Sequence, residues 1–390
     1  MKKNQSKIEK LISQLAPDGV EFKELGELCS RIFAGGTPST GRREFYNGNI
    51  PWLRSGEINF NVIKESENTI SKLGLKSSSA RWINKNSVLI AMTGATVARS
   101  AVVEIDTTAN QSVCALEPNT NVNYKYLFYC LVNDYLKIKN MGQGVLTSLN
   151  IAMIKKIKIP LPPLPIQEEI VRILDTFTEL EAELEAELEA RQKQYAYYRE
   201  KLLSFPDEVQ WVKLKDVCLS ITAGGDLPKR FIRNQKKPTD KFPYPIYSNG
   251  TDDSALYGYA DTYKIDADAV TVSARGTIGY HAIRKAKFTP IVRLLTLIPS
   301  NKINIKYLNY VLDITEIGHS GGSIPQLTIP NIKKIKIPLP PLSEQKRIAS
   351  ILDKFDALVN DISTGLPAEI NARKQQYEYY RNQLLSFKEK

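Results

Sequence analysis

Histidine, cysteine and methionine are scarce in this chain: two, four and four residues among 390. The histidines, His281 and His319, stand alone, and catalysis by histidine needs several convergent partners, so a lone one reads as a surface or satisfied residue. The cysteines, Cys29, Cys114, Cys130 and Cys218, are scattered with no pair at metal-ligand spacing, which gives no sign of a zinc module. They read as reduced thiols, mostly core, in a cytoplasmic protein. No apolar run approaches the ~20 residues of a membrane-spanning helix. The opening Met1-Lys2-Lys3-Asn4 leads into no apolar stretch, so no secretory signal and no membrane association are expected. A Gly-x-x-x-x-Gly-Lys-Ser/Thr phosphate loop is missing, and with it a standard ATPase site. No Gly-x-Gly-x-x-Gly follows a strand, which removes the dinucleotide fingerprint. An Asp/Asn-Pro-Pro-Tyr/Phe amino-methyltransferase motif is also absent, because the Pro-Pro pairs at 162–163 and 340–341 lie between leucines. A nuclease built on scattered carboxylates is not excluded in this way.

What is present is positive charge, unevenly placed. The net charge is +11. Residues 1–166 carry +8 and 204–342 carry +7, while 167–203 carry −5, 343–385 carry 0 and the last five add +1. Two basic blocks alternate with acidic or neutral ones, as a phosphate-backbone partner would require, although many soluble proteins are mildly basic.

The chain is also written twice. IKKIKIPLPPL occupies 154–164 and again 332–342; Gln167 answers Gln345, and Ile173-Leu174-Asp175 answers Ile351-Leu352-Asp353. ARQKQYAYYREKLLSF at 190–205 answers ARKQQYEYYRNQLLSF at 372–387, with four extra residues in the second copy between these blocks. Upstream, Cys29 and Ala34-Gly35-Gly36 answer Cys218 and Ala223-Gly224-Gly225, and Tyr126-Leu127 answers Tyr307-Leu308. Between the anchors the copies differ widely. The period is far too long for a solenoid; it describes a basic globular domain plus a long helix, duplicated. The opening IEKLISQLAPDGVEF resembles the junction YYREKLLSFPDEVQW at 197–211, so each globular block is entered from a helix that ends near a Pro-Asp turn, Pro17-Asp18 or Pro206-Asp207. A pseudo-two-fold relation between the halves is expected.

After each PLPPL, apolar residues recur at steps of three and four: Ile170, Ile173, Leu174, Phe177, Leu180, Leu184, Leu188, and then Ile348, Ile351, Leu352, Phe355, Leu358, Ile362. Those steps belong to a coiled-coil seam. ELEAELEAELEA at 179–190 repeats a four-residue unit three times, a local stutter in the heptad. Gly365 and Pro367 should kink or break the second helix. In the globular blocks SVLIAM at 87–92, AVTVSA at 269–274 and PIVRLLTLIP at 290–299 are strand-like. YKYLFYCLVNDYLK at 124–137 and IKYLNYVLD at 305–313 read as short amphipathic helices. The fold class is α+β: two similar globular domains separated by two long helices that form an antiparallel coiled coil, with a pseudo-two-fold internal repeat. The divisions expected are an N-terminal helix 1–19, a first domain 20–153, a linker and long helix 154–205, a second domain 206–331, and a second linker and helix 332–390.

The double IKKIKIPLPPL, the twin ARxxQYxYYR helices and the Ala-Gly-Gly openings together resemble the specificity subunits of type I restriction–modification systems. GGTPS at 35–39, GNIPW at 48–52, MTGAT at 92–96 and SARGTIG at 273–279 look like pieces of their target-recognition domains. The resemblance spans essentially the whole chain. It implies a non-catalytic DNA-binding subunit whose two domains each read one half of a bipartite, asymmetric site in double-stranded DNA. It also implies helices that set the unread gap and dock two modification (adenine N6 methyltransferase) subunits, with restriction/translocase subunits joining that core. No cofactor belongs to this chain on that reading; S-adenosylmethionine, ATP and Mg are expected on the partners. A duplicated coiled-coil scaffold that does not bind DNA would show the same layout.

Base edges and phosphates are read by Arg, Lys, Asn, Gln, Ser and Thr. The candidates in the first domain are Thr37, Ser39, Arg42, Arg43, Tyr46, Arg54 and Arg99. In the second they are Lys229, Arg230, Arg233, Lys236, Lys237, Asn249, Arg275 and Thr277. Arg275 precedes a glycine and can approach DNA closely, whereas the lysine pair 236–237 can equally be a solvated loop. Trp52 and Trp82 suit packing better than base stacking. Tyr195, Tyr198, Tyr377 and Tyr380 suit helix-pair packing or partner docking. The motif census predicts that the purified chain alone transfers no methyl group, cuts no DNA and hydrolyses no ATP; methyl transfer measured in the absence of any partner subunit would refute it.

Overall fold

The computed structural model describes residues 6–142, 148–205, 209–317 and 326–390. His319 and the Pro206-Asp207 pair lie outside the described residues. The chain divides into two compact units, residues 1–184 with 370–390, and residues 185–369. Each is a globular domain joined to two helical segments, one from each long-helix repeat.

In the first unit, helix α1 (Lys7–Leu15) opens with a capping box: Ser6 Oγ accepts from the Glu9 N–H, and Glu9 accepts from the Ser6 N–H. This satisfies two of the donors that a helix N-terminus leaves orphaned. The Pro17-Asp18 turn follows. The main sheet runs in the order Cys29–Ala34, Val113–Pro118, Val88–Ala91, Ser100–Val103, Val62–Ile63. A smaller sheet pairs Tyr46–Leu53 with Thr69–Ile70 and, in parallel, with Thr108–Ala109. Helix α2 (Tyr124–Asn133) ends where Asp134 interrupts it, so the single helix expected over 124–137 is two, the second being Tyr135–Asn140. Strand Lys158–Leu161 then pairs antiparallel with Glu21–Glu24, and the chain enters helix α3 (Leu164–Leu203).

The second unit repeats this plan. Its main sheet is Cys218–Ala223, Leu294–Pro299, Ala269–Ser273, His281–Arg284. Cys29 faces Pro118 and Cys218 faces Pro299, each followed by a register shift, so the two cysteines occupy one position seen twice. Both lie on strands packed into their cores, and burial raises each thiol's pKa to about 12. Helix α4 (Ile305–Asp313) matches α2, and strand Lys336–Pro338 pairs with Trp211–Lys213. Helix α5 (Leu342–Asn360) follows. The backbone then leaves the helix at Asp361, whose carboxylate accepts from the Ser363 N–H and from the Ser363 and Thr364 hydroxyls. It resumes as α6 (Leu366–Leu385). The break thus falls in the stretch that holds the four extra residues of the second copy, ahead of Pro367, which a helix tolerates in its first turn.

The helices pair antiparallel inside each unit. In the first, Phe177 of α3 packs on Tyr377 and Tyr380 of α6, and Glu181 pairs with Lys374 at 3.2 Å. Residue number rises along α3 as it falls along α6. In the second, Phe355 of α5 stacks on Tyr195 and Tyr198 of the α3 C-terminal half at 6.1 and 5.6 Å. Leu184 is buried and Leu180 and Leu188 are half-buried, while Glu183, Glu185, Glu187 and Glu189 are exposed.

Each domain is seated on its helix by the same polar junction. The PLPPL run has few backbone donors, because proline carries none. Gln167, fully buried, donates to the Pro162 and Asn121 carbonyls and accepts from the Asn123 N–H at 2.8 Å. Gln345, also fully buried, donates to the Pro340 and Lys302 carbonyls and accepts from the Asn304 N–H at 2.8 Å. Asn123 and Asn304 in turn cap α2 and α4. Tyr126 and Tyr307 donate to the Pro160 and Pro338 carbonyls. Asp175 takes Lys125 and Tyr129 at 2.7 and 2.6 Å, and Asp353 takes Lys306 and Tyr310. Gln345→Ala strands the buried Pro340 carbonyl and takes the partner from the half-buried Asn304 N–H and from the Lys302 carbonyl. A stranded buried group costs roughly 1–3 kcal/mol, so the second unit's urea midpoint should fall clearly, while Arg43→Ala on the surface should stay within about 0.5 kcal/mol.

Candidate nucleic-acid interface

Three loops gather at one end of the main sheet in each domain. The first carries the Ala-Gly-Gly repeat. The Gly36 N–H donates to the Ala109 carbonyl, and the Gly225 N–H to the Pro290 carbonyl. A Cβ on Gly35 would sit 2.1 Å from the Ala109 oxygen, and one on Gly224 2.1 Å from the Ile291 oxygen. Only glycine lets the first loop lie against the second, the turn between the two sheets at 109–113 and 290–294. The third is the hairpin between the third and fourth strands, 92–99 and 274–280. Its glycines, Gly94 and Gly276, have φ of +81° and +77°, a region costly for other residues. The Met92 N–H reaches the Ser112 carbonyl, and the Ala274 N–H reaches the Arg293 carbonyl, tying hairpin to turn in both copies.

These ties decide what the candidate side chains can do. In the second domain Asn249, Arg275 and Thr277 come together: the Asn249 amide donates to the Arg275 carbonyl at 2.7 Å, and the Thr277 hydroxyl donates to the Asn249 carbonyl at 2.6 Å. Thr277 has a counterpart that sequence reading missed. Thr96 donates to the Ser55 carbonyl at 2.8 Å in the same place. Both hydroxyls hold the hairpin to the neighbouring loop. Arg275 is half-buried, and its Nε finds no partner among the described residues; the same holds for Arg99. Buried donors of this kind call for an acceptor. The Arg99 guanidinium already donates to Asn59 at 2.7 Å and lies over Phe60.

The other first-domain candidates spread along the rim. Thr37 donates to Gln111 of the turn. Tyr46 donates to the Pro38 carbonyl at 2.6 Å and meets Trp52 edge to face. Trp52 is buried with its indole N–H on the Gly36 carbonyl, whereas Trp82 is 44 % exposed rather than packed. Ser39, Arg42, Arg43 and Arg54 are exposed; Arg42 lies 3.8 Å from Glu44 and over Phe45. In the second domain Arg230 pairs with Asp261 at 3.1 Å and Arg233 lies over Tyr257. Lys229, Lys236 and Lys237 are exposed. Tyr195, Tyr198, Tyr377 and Tyr380 are remote from these loops in sequence and pack on phenylalanines of the paired helix, as described above.

His281 is half-buried at the return leg of the second hairpin. Its ring nitrogens lie 2.9 Å from the Gly279 carbonyl, 3.0 Å from the Asn309 carbonyl and 3.3 Å from Asp313. Burial disfavours the imidazolium, but Asp313 and the two carbonyls outweigh it and raise the pKa. This is a satisfied structural histidine. No group of three or more metal-ligating side chains occurs among the described residues, and no helix there is long and apolar enough to cross a membrane.

The model of the type I restriction modification DNA specificity domain matches residues 17–190 and again 206–372. The specificity subunit of the type I restriction enzyme EcoprrI of Escherichia coli is 31 % identical over 373 residues, covering 89 % of this chain and 90 % of that protein. A protein of Mycoplasma pneumoniae named as a type I specificity subunit is 36 % identical over 284 residues, covering 69 % and 84 %. The crystal structure of a type I restriction–modification S subunit from M. genitalium superposes with a TM-score of 0.59 at 17 % identity over 95 % of this chain and 97 % of the other, a likeness of fold.

Proposed function

The chain belongs to the family of type I restriction–modification DNA specificity domains, and we propose that it reads a bipartite, asymmetric site in double-stranded DNA with one domain per half-site. The observation that carries this reading is the pairing of sameness with difference. The same three loops, with the neighbouring loop after Leu53 or Tyr247, close the same sheet end in both domains and share the Thr96 and Thr277 ties, yet they present Thr37, Arg54 and Arg99 in one and Asn249 and Arg275 in the other. Two readers of one architecture with different side chains suit two different half-sites. The basic blocks supply the phosphate attraction that holds any reader on DNA, and the loop residues supply base and backbone contacts. The duplicated helices dock two copies of a modification subunit, and restriction subunits join them. S-adenosylmethionine, ATP and Mg act on those partners in the cytoplasm, and this chain contributes no catalysis.

The test is modular. With the neighbouring methyltransferase co-expressed and methylated adenines mapped genome-wide, replacing 208–328 by the corresponding segment of a related protein should change one half of the motif. A change in both halves, or in neither, overturns the modular reading, and a parent that yields no motif at all leaves a scaffold. Binding should weaken steeply with salt.

The ELEA units give a second expectation. Four helical residues add about 6 Å and about 40° beyond a full turn. Base pairs rise about 3.4 Å. Deleting residues 183–186 keeps leucines at the spacing of the half-buried stripe, so the helix pair survives and the unread gap shortens by about one or two base pairs. Both half-sites stay as they were. An unchanged gap in an active complex would show that the helices hold the domains without setting their distance.

A further inference from the structure

We infer that the tip of the sheet-joining turn is a base-reading position in both domains, with Gln111 recognising an adenine in the first half-site and Val292 recognising a thymine methyl in the second; this rests on the bipartite reading above. The two residues are equivalent by backbone pairing. Leu53 faces Ala109 and Tyr247 faces Pro290 in matching parallel bridges. Val113 and Leu294 begin the matching strands that follow. Gln111 and Val292 therefore sit two residues past the bridge and two before the strand in each domain.

Both side chains are exposed, Val292 by 55 %. Ile291 on one side and Leu294 on the other are buried, and Arg293 carries φ +75°, so the backbone turns sharply and holds the valine out. A single exposed valine is ordinary on a protein surface. This one stands at the centre of the loops that carry Arg275, Thr277 and Asn249, through the Ala274-to-Arg293 and Ile291-to-Tyr247 backbone bonds. The facing loop is kept small by Gly224, whose Cβ would strike the Ile291 carbonyl. The tip is thus flanked by polar readers and left clear for close approach.

The chemistry differs between copies in a way that base edges can use. A glutamine amide matches the N6 donor and N7 acceptor of adenine in the major groove, and an apolar side chain matches the thymine C5 methyl. Thr37 donates to the Gln111 carbonyl oxygen. That bond fixes the amide plane while leaving both N–H donors and one lone pair for a base. Val292 presents methyls only, more than half exposed, as a thymine methyl requires.

The experiment uses the full complex with its methyltransferase and a duplex carrying the mapped motif. Each thymine of the second half-site is replaced singly by uracil, which removes only the C5 methyl. Each adenine of the first is replaced by 7-deazaadenine, which removes the N7 acceptor. One uracil position should weaken binding about fourfold, the worth of one buried methyl group, and Val292→Ala should abolish that difference. One 7-deazaadenine position should weaken binding roughly five- to hundredfold, and Gln111→Leu should abolish it. The analogues leave the protein untouched, so folding does not confound the wild-type scan. Flat scans, analogue effects that persist in the variants, or a second half-site lacking thymine overturn the inference while the bipartite reading stands. A parent complex with no bipartite motif overturns that reading first.

Discussion

A buried glutamine against a proline run is the contact on which each half of this molecule turns. The PLPPL segment must cross from a sheet to a helix, and its prolines supply no donors. A buried carbonyl without a partner is costly. Gln167 and Gln345 each offer two N–H donors to the orphaned carbonyls and one oxygen to the N-cap of the domain's own helix. One side chain thereby links three pieces of backbone: the proline run, the loop before the helix and the helix cap. Asp175 and Asp353 add a second fastening about two turns further on, each binding a lysine and a tyrosine from the domain.

That economy explains where the chain can vary. The junction residues make contacts in all directions, so they recur almost unchanged in both copies. The sheet-end loops have one side packed and one side open. Their glycines are held by close approaches, and the residues between them are free to differ. Even the structural hydroxyls Thr96 and Thr277 recur, because each ties a hairpin to a neighbouring carbonyl. Divergence also reaches the packed side. His281, Asn309 and Asp313 form a polar cluster in the second unit, and the first unit has Ser100, Phe128 and Val132 at the corresponding positions. A histidine ring with three acceptors stands there without altering the sheet order.

Repeats, helices and the α+β class were legible in the sequence because duplication and helical periodicity are written in residue types. Helix Ile305–Asp313 is met to the residue. The helix expected over 124–137 splits because Asp134 takes the cap between two short helices, a local contest that apolar spacing does not register. The site was less legible. The hydroxyls of Thr37, Tyr46 and Thr277 donate to Gln111, Pro38 and Asn249 within the protein, contacts that residue type alone does not reveal. Val292 was hidden inside PIVRLLTLIP, which reads as one strand. Only the backbone shows that 291–293 is a turn and that the strand begins at Leu294. Gln111 carried no motif at all. Its signal was positional, the residue opposite an exposed valine in a duplicated turn, and that signal needs the strand register to be seen.

Charge separates the work of the two kinds of element. The segment 167–203 carries −5 while the blocks before and after it carry +8 and +7. The glutamates of the ELEA units point to solvent, at 183, 185, 187 and 189. A DNA backbone near that face would be repelled, and unlike charges further along the helix would be screened within about 10 Å at ordinary salt. On the proposed reading the ELEA segment of the helix therefore does not act by touching phosphates. It sets spacing through its length and stiffness, which four-residue units change in whole steps while the leucine stripe and the glutamine junction stay intact. On that reading the affinity comes from the basic domains and the spacing from the helices.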